Sequence, residues 1–246
     1  MYSWLMKSIY KNILQSIKKR EKLLAVLIDP DKTKPEGLDG FMQKLNSSAA
    51  THIFVGGSTV EAFATENLVV TLKKHTNLPI ILFPGDVSQI TNHANAILYL
   101  SLLSGRNPEY LIGKHVASVS KLRNSSLEVI PTGYLLIENG KETAVQRVTQ
   151  TEPMPVNKVQ TIVDTAKAGE LLGMELIYLE AGSGAEKAIP SSVISAVKED
   201  LKIPLIVGGG IRSKEQLDTA YKAGADLVVI GTAFEEDEAF FNEIKK

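Results

Sequence analysis

The sequence predicts a (β/α)8 barrel in a single domain spanning residues 1–246. Eight short apolar segments, rich in β-branched residues, alternate with stretches in which apolar residues keep helical spacing. This alternation is typical of parallel strands whose two faces are covered by helices. The number of βα units and the chain length of 246 residues favour a closed barrel. An open, doubly wound sheet is the alternative fold.

The predicted strands account for the most apolar segments of the chain. In chain order they span residues 23–28, 52–55, 80–83, 96–101, 127–136, 176–179, 205–207 and 227–230. Helical spacing is clearest in segments 159–171 and 217–221. Segment 83–94 contains Pro84, Gly85 and few apolar residues, so we predict a loop in place of the third helix. An amphipathic segment before the first strand predicts an additional N-terminal helix.

Composition and charge narrow the classes of function. The formal net charge is −1, which argues against a general nucleic-acid-binding surface. The chain has no cysteine, which rules out disulfides, thiolate nucleophiles and cysteine-based metal sites. No segment approaches the roughly 18 apolar residues of a membrane-spanning helix, and the N-terminus lacks the apolar core of a signal peptide. We therefore expect a cytoplasmic protein without an integral membrane segment.

Glycine-rich turns follow the sixth, seventh and eighth predicted strands, at the end of a barrel where ligands bind. They read AGSGA after strand six, GGG at 208–210 after strand seven, and Gly231-Thr232 after strand eight. Glycine allows backbone N–H groups to approach a ligand closely, and N–H groups at helix N-termini attract anions. Together the turns predict a phosphate site, although each alone is also compatible with a tight βα turn. Arg212 either adds positive charge there or begins a solvated helix.

Three polar side chains at predicted strand ends carry candidate chemistry. Asp29, after strand one, and Ser58, after strand two, supply oxygen ligands of the kind that Mg²⁺ uses beside substrate phosphates. Asp29 is equally compatible with a turn or N-cap role. Glu180 follows strand six next to the glycine-rich turns, where a carboxylate can act as a general base. Its alternative role is that of a structural partner for a basic residue.

Five segments, taken together and in order, resemble the geranylgeranylglyceryl phosphate synthase family, which includes the PcrB-like heptaprenylglyceryl phosphate synthases. They read LIDPDK, FVGGST, YLEAGSGA, VGGGIRS and VVIGTAFE, and the similarity runs from about residue 23 to residue 236. The resemblance implies a (β/α)8 barrel whose third helix is replaced by an irregular segment. It also implies a Mg²⁺-dependent prenyltransferase of ether-lipid biosynthesis. In that reaction the C3 hydroxyl of sn-glycerol 1-phosphate attacks C1 of a polyprenyl diphosphate and releases pyrophosphate.

The resemblance further implies roles for individual residues. Asp29 and Ser58 would form the metal site, and Glu180 would deprotonate the attacking hydroxyl. The residues implied to bind glycerol 1-phosphate are Tyr178, Leu179, Glu180, Ala181, Gly182, Ser183, Gly184, Gly209, Gly210, Gly231 and Thr232. Family members commonly form homodimers or assemblies of dimers. The apolar residues of the N-terminal segment either support such an assembly or cap the bottom of the barrel, and they are Trp4, Leu5, Ile9 and Ile13.

One position departs from the PcrB-like branch of the family. That branch has a lysine two residues before the metal aspartate, where this chain has Leu27, and Lys32 is a candidate replacement for the charge. The segment LIDPD is more similar to the second, mostly archaeal branch, which favours a C20 geranylgeranyl donor. Two alternative functions remain open: a phosphosugar isomerase or other phosphate-binding barrel enzyme, and a non-catalytic phosphate-binding barrel.

Overall fold

The eight predicted strands form a closed barrel in the computed structural model, which describes residues 8–33, 36–236 and 238–245. The strands are β1 (Leu23–Ile28), β2 (His52–Val55), β3 (Ile80–Leu82), β4 (Ala96–Leu102), β5 (Glu128–Leu136), β6 (Leu176–Glu180), β7 (Leu205–Gly208) and β8 (Leu227–Ile230). Each strand pairs in parallel with the next along the chain, and β8 pairs with β1, where Ala25 stands opposite Val229. The closed sheet confirms the barrel and excludes the open, doubly wound alternative.

Helices connect the strands and cover the outside of the barrel. They are α1 (Ser8–Lys18), α2 (Leu38–Ser47), α3 (Ala64–Leu72), α4 (Lys114–Leu122), α5 (Ala144–Thr149), α6 (Val159–Leu171), α7 (Ser191–Asp200), α8 (Lys214–Lys222) and α9 (Thr232–Glu236). Between β3 and β4 the chain forms a single turn of 3-10 helix, Val87–Gln89, which confirms the predicted loss of the third barrel helix. A π-helical turn, Glu109–Gly113, leads directly into α4. None of the described helices combines the length and apolar character needed to cross a membrane.

Successive side chains of each strand alternate between the barrel interior and the layer beneath the helices. In β6, Leu176 and Tyr178 point into the barrel, whereas Ile177 and Leu179 pack in the outer layer. Both layers are apolar, because helices cover the outer face of a parallel sheet and side chains fill its interior. This alternation decides which side chains near the strand ends can reach a ligand.

Helix α1 closes the bottom of the barrel, at the amino ends of the strands. Ile9 and Ile13 are buried among the interior side chains. The Glu128 carboxylate accepts hydrogen bonds from the backbone N–H groups of Ile9 and the next residue, at 2.7 and 2.9 Å. A carboxylate is favourable at a helix N-terminus because the N–H groups there have no helical acceptor. The two isoleucines therefore cap the barrel, whereas Trp4 and Leu5 lie outside the described residues.

Candidate active site

A cavity of about 380 Å³ opens at the carboxyl ends of the strands. Because every parallel strand ends at this rim, residues distant in sequence meet here. The predicted site residues that line the cavity are Asp29, Ser58, Tyr178, Glu180, Gly182, Ser183, Gly184, Gly209, Gly210, Gly231 and Thr232. The fold therefore brings the predicted metal residues, the predicted base and the glycine-rich turns around one space.

Leu179 and Ala181 are the two predicted site residues that do not line the cavity. Leu179 points into the layer beneath the helices, because it alternates along β6 with Tyr178 and Glu180. Ala181 is buried in the same layer, and its N–H donates to the Gly208 carbonyl at 3.0 Å. Neither residue lines the cavity, and their place in the predicted contact set stays a prediction.

Glu180 ends β6 with its carboxylate beneath the cavity, and the residue is only 6% exposed. Its Oε1 accepts a hydrogen bond from the backbone N–H of Gly182 at 2.6 Å. Burial raises the pKa of the Glu180 carboxyl, while the Tyr178 hydroxyl and the Gly182 N–H favour the charged form and oppose the rise. A raised pKa makes the ionised carboxylate a stronger proton acceptor. This environment suits a general base that works near neutral pH.

Aromatic rings form the floor of the cavity next to Glu180. Phe83 lies against Tyr178 and Tyr134, with ring centroids 5.3 and 6.0 Å apart, and Phe54 packs behind it. Burial and the nearby Glu180 charge hold the pKa of both tyrosine hydroxyls well above the ordinary value, so both are protonated at neutral pH. The Tyr178 hydroxyl is buried close to Glu180, yet it makes no hydrogen bond of standard geometry to a described residue. It is therefore a buried donor beside the Glu180 carboxylate.

The glycine-rich turns present backbone N–H groups at the polar end of the cavity. In these three turns, six N–H groups donate to no acceptor in the described part of the chain, and they belong to Ser183, Gly184, Gly209, Gly210, Gly231 and Thr232. Gly209 has φ of 83°, and a Cβ there would stand 2.5 Å from Oε1 of Glu180. Any other residue at this position would strain the backbone and displace the carboxylate. Converging unpaired N–H groups are the arrangement that binds phosphate oxygens.

Asp29 and Ser58 lie at the ends of adjacent strands, on the same cavity. The Asp29 carboxylate rests against Gly57, where an added Cβ would stand 3.0 Å from Oδ1. Lys32 Nζ lies 3.7 Å from Asp29 Oδ2. Among the described residues there is no group of three or more His, Cys, Asp or Glu that could hold a metal ion. One carboxylate and one hydroxyl fit Mg²⁺, which keeps several waters and binds largely through substrate phosphates, and they do not fit a structural Zn²⁺ site.

An apolar arm extends the cavity away from the glycine-rich turns. It runs between the 3-10 turn, β4 and α5, and its apolar lining includes Val87, Ile90, Leu98, Leu100, Leu102, Val145 and Val148. Asp86 and Lys114 form an ion pair in its wall, which ties the loop after β3 to α4. Although burial opposes ionisation, the Lys114 ammonium holds the pKa of Asp86 below its usual value. The arm is suited to a long apolar group.

Nearly the whole chain matches a known protein family. The profile of the PcrB family matches residues 15–246. The chain belongs to the PcrB family. The geranylgeranylglyceryl phosphate synthase of Flavobacterium johnsoniae is 55% identical over 235 residues, which cover 96% of this chain and 97% of that protein. The Thermococcus kodakarensis protein of the same name is 43% identical, covering 88% of this chain and 86% of its own length.

A solved structure agrees with the fold described above. The structure is (S)-3-O-geranylgeranylglyceryl phosphate synthase from Thermoplasma acidophilum in complex with sn-glycerol 1-phosphate. It superimposes with a TM-score of 0.89 at 32% identity and covers 96% of this chain and 94% of its own. Family membership confirms the resemblance carried by the five segments and the enzyme class, prenyltransferase. The branch within the family stays a prediction.

The sequence of this PcrB-family member did not reveal the aromatic floor or the apolar arm. Tyr134 lies within β5 and Phe83 directly follows β3, and only their packing in the folded chain shows that both face the barrel interior. The arm combines residues from several separate elements that share no motif. One signal was present: Pro84 and Gly85 predicted the missing helix, and the arm lies beside the 3-10 turn that replaces it.

Proposed function

We propose that this protein transfers the prenyl group of geranylgeranyl diphosphate to the C3 hydroxyl of sn-glycerol 1-phosphate. The products are an ether, geranylgeranylglyceryl phosphate, and pyrophosphate. The observation that carries the proposal is the shape of the cavity, which joins a polar end of glycine-rich turns and Glu180 to an apolar arm. Such a cavity accommodates one small phosphate ester and one long apolar chain together. The proposal is further supported by 55% identity to a protein named for this reaction.

The polar end supplies what glycerol 1-phosphate requires. Unpaired N–H groups of the turns after β6, β7 and β8 bind the phosphate oxygens. The Tyr178 hydroxyl and the Glu180 carboxylate meet the glycerol hydroxyls, which fixes one enantiomer and directs its C3 oxygen toward the arm. Because backbone groups hold the phosphate, the side chains are left to orient the reacting alcohol.

Glu180 removes the proton from the attacking C3 hydroxyl as the new C–O bond forms. An alcohol is a weak nucleophile at neutral pH, so general-base assistance accelerates its attack on an allylic carbon. The carboxylate is held by the Gly182 N–H at 2.6 Å through Oε1. The second oxygen, Oε2, is thereby left to accept the proton. Burial raises the basicity of the group at the place where it is used.

Asp29 and Ser58 would hold Mg²⁺, and Lys32 adds positive charge beside them, at 3.7 Å from Asp29. When bound, Mg²⁺ neutralises charge that develops on the leaving pyrophosphate. The prenyl chain lies in the apolar arm, where it is shielded from water that would otherwise capture a cation-like carbon. The C20 donor is favoured by the LIDPD segment. This donor length is part of the proposal.

A direct assay tests the proposed reaction. Purified protein is incubated with radiolabelled sn-glycerol 1-phosphate, Mg²⁺ and a series of prenyl diphosphates of increasing length, and the lipid-soluble product is measured. We expect label in the organic phase with the C20 donor and none after EDTA treatment. Preference for another length would refute the C20 assignment. EDTA-resistant turnover of a phosphosugar would favour the isomerase alternative, and the absence of any turnover would favour a binding protein.

A further inference from the structure

The loop between β5 and α5, residues 137–143, packs directly onto the turn that follows β6. Asn139 Nδ2 donates a hydrogen bond to the Ala181 carbonyl. A Cβ on Gly182 would collide with the Thr143 side chain. Asn139 and Thr143 are both buried, and Thr143 also caps α5 by accepting the N–H of Gln146. These contacts hold the two segments in a fixed relative position.

Lys141 lies in the middle of this loop and reaches the turn with its ammonium group. Its Nζ stands 3.6 Å from the point where a Cβ on Gly184 would be. Within the described chain, this ammonium forms no ion pair. In contrast, the positively charged residues that line the cavity lie beside carboxylates, and they are Lys32, Lys114 and Arg212. Lys141 is thus a cation beside the 182–184 turn that makes no direct ion pair with a described residue.

We propose that Lys141 binds the phosphate group of glycerol 1-phosphate from the side of the 182–184 turn. The inference rests on the proposed function and adds a residue to its substrate site. The N–H groups of Ser183 and Gly184 donate to no described acceptor, so a phosphate held by them lies next to Lys141 Nζ. The backbone donors fix the geometry of the anion, and the ammonium supplies the charge they lack. Lys141 therefore discriminates the phosphate ester from an uncharged glycerol.

The test compares Lys141→Met, which keeps the length of the side chain without its charge, with the control Lys222→Met. Lys222 is an exposed lysine at the C-terminal end of α8, away from the cavity. Calorimetry measures the Kd of sn-glycerol 1-phosphate, and steady-state assays give kcat and both KM values. Lys141→Met should raise the Kd and KM for glycerol 1-phosphate about fivefold to tenfold, the range expected for a charge-assisted contact. Lys141→Met should change kcat and the KM for the prenyl diphosphate by less than about twofold. The control Lys222→Met should change all of these constants by less than about twofold.

Salt dependence separates a charge contact from a structural change. The difference between wild type and Lys141→Met should shrink as ionic strength rises, because salt screens an exposed ammonium. A Lys141→Met protein that binds glycerol 1-phosphate as tightly as wild type at low salt would overturn the assignment, even if the ether product forms. If the wild type binds glycerol 1-phosphate but makes no ether, the proposed function fails, while a weakened Lys141→Met still supports the phosphate contact.

Discussion

Replacing Glu180 with glutamine tests the proposed base with little change in shape. The glutamine carbonyl can still accept the N–H of Gly182, which Glu180 Oε1 accepts at 2.6 Å. The turn after β6 should therefore keep its conformation, and phosphate binding by its backbone N–H groups should change little. What the amide loses is the ability to accept a proton from the C3 hydroxyl.

The expected loss in rate follows from that single change. General-base catalysis contributes about 10²–10⁴-fold, which corresponds to roughly 2.7–5.5 kcal/mol in activation free energy. Glu180→Gln should lower the single-turnover rate by this factor while the Kd of glycerol 1-phosphate stays within about threefold. Glu186→Gln, an exposed glutamate in the same loop, is the matched control and should retain nearly full activity.

The pH dependence gives an independent check on the same residue. Burial raises the pKa of Glu180 in the folded protein, so ionising this carboxyl lowers the free energy of unfolding. At a pH below the pKa of Glu180 in the unfolded chain, the carboxyl is protonated in both states and this loss of stability is absent. The loss of stability develops as the pH rises from the pKa of the unfolded state to that of the folded state, and it persists at neutral pH. Glu180→Gln should therefore raise Tm at pH 7 but not at about pH 4. A gain of 1 kcal/mol corresponds to about 2–4 °C in a domain of this size.

Single-turnover rates and calorimetry decide between a base and a structural carboxylate. A Glu180→Gln protein that binds glycerol 1-phosphate normally and turns over within a few-fold of wild type would refute the reasoning. The C–O bond would then form without base assistance, and Glu180 would serve only to shape the turn. Equal loss of binding and turnover would instead show that the carboxylate orients the glycerol.

Three further predictions concern the metal, the substrate and the assembly. Asp29→Asn should fold normally but lose about tenfold or more in rate at limiting Mg²⁺, because an amide is a poorer ligand; a near wild-type rate would contradict the metal site. sn-Glycerol 3-phosphate should react far more slowly than the sn-1 enantiomer, by several kcal/mol in activation free energy; equal rates would disprove the predicted contacts of Tyr178 and Glu180. Light scattering should give the mass of a homodimer or an assembly of dimers, and a monomer at all concentrations would remove that prediction.

The sequence alone was sufficient to predict the barrel, its missing third helix and the polar end of the cavity. Strand ends in a parallel barrel share one rim, so locating Asp29, Ser58 and Glu180 at strand ends also placed them around a common space. The glycine-rich turns predicted the rest of the polar end, because glycine is required where backbone N–H groups approach an anion closely. Gly209, whose Cβ would strike Glu180, shows this requirement directly.

Tertiary structure decided the properties that depend on direction and distance. Register along β6 turned Leu179 and Ala181 away from the cavity, although both stand within the predicted segment. Packing between distant segments placed Lys141 against Gly184 and buried Glu180 enough to raise its pKa. A linear pattern identifies residue types and spacing, whereas burial and side-chain direction arise only when all eight strands close around one interior.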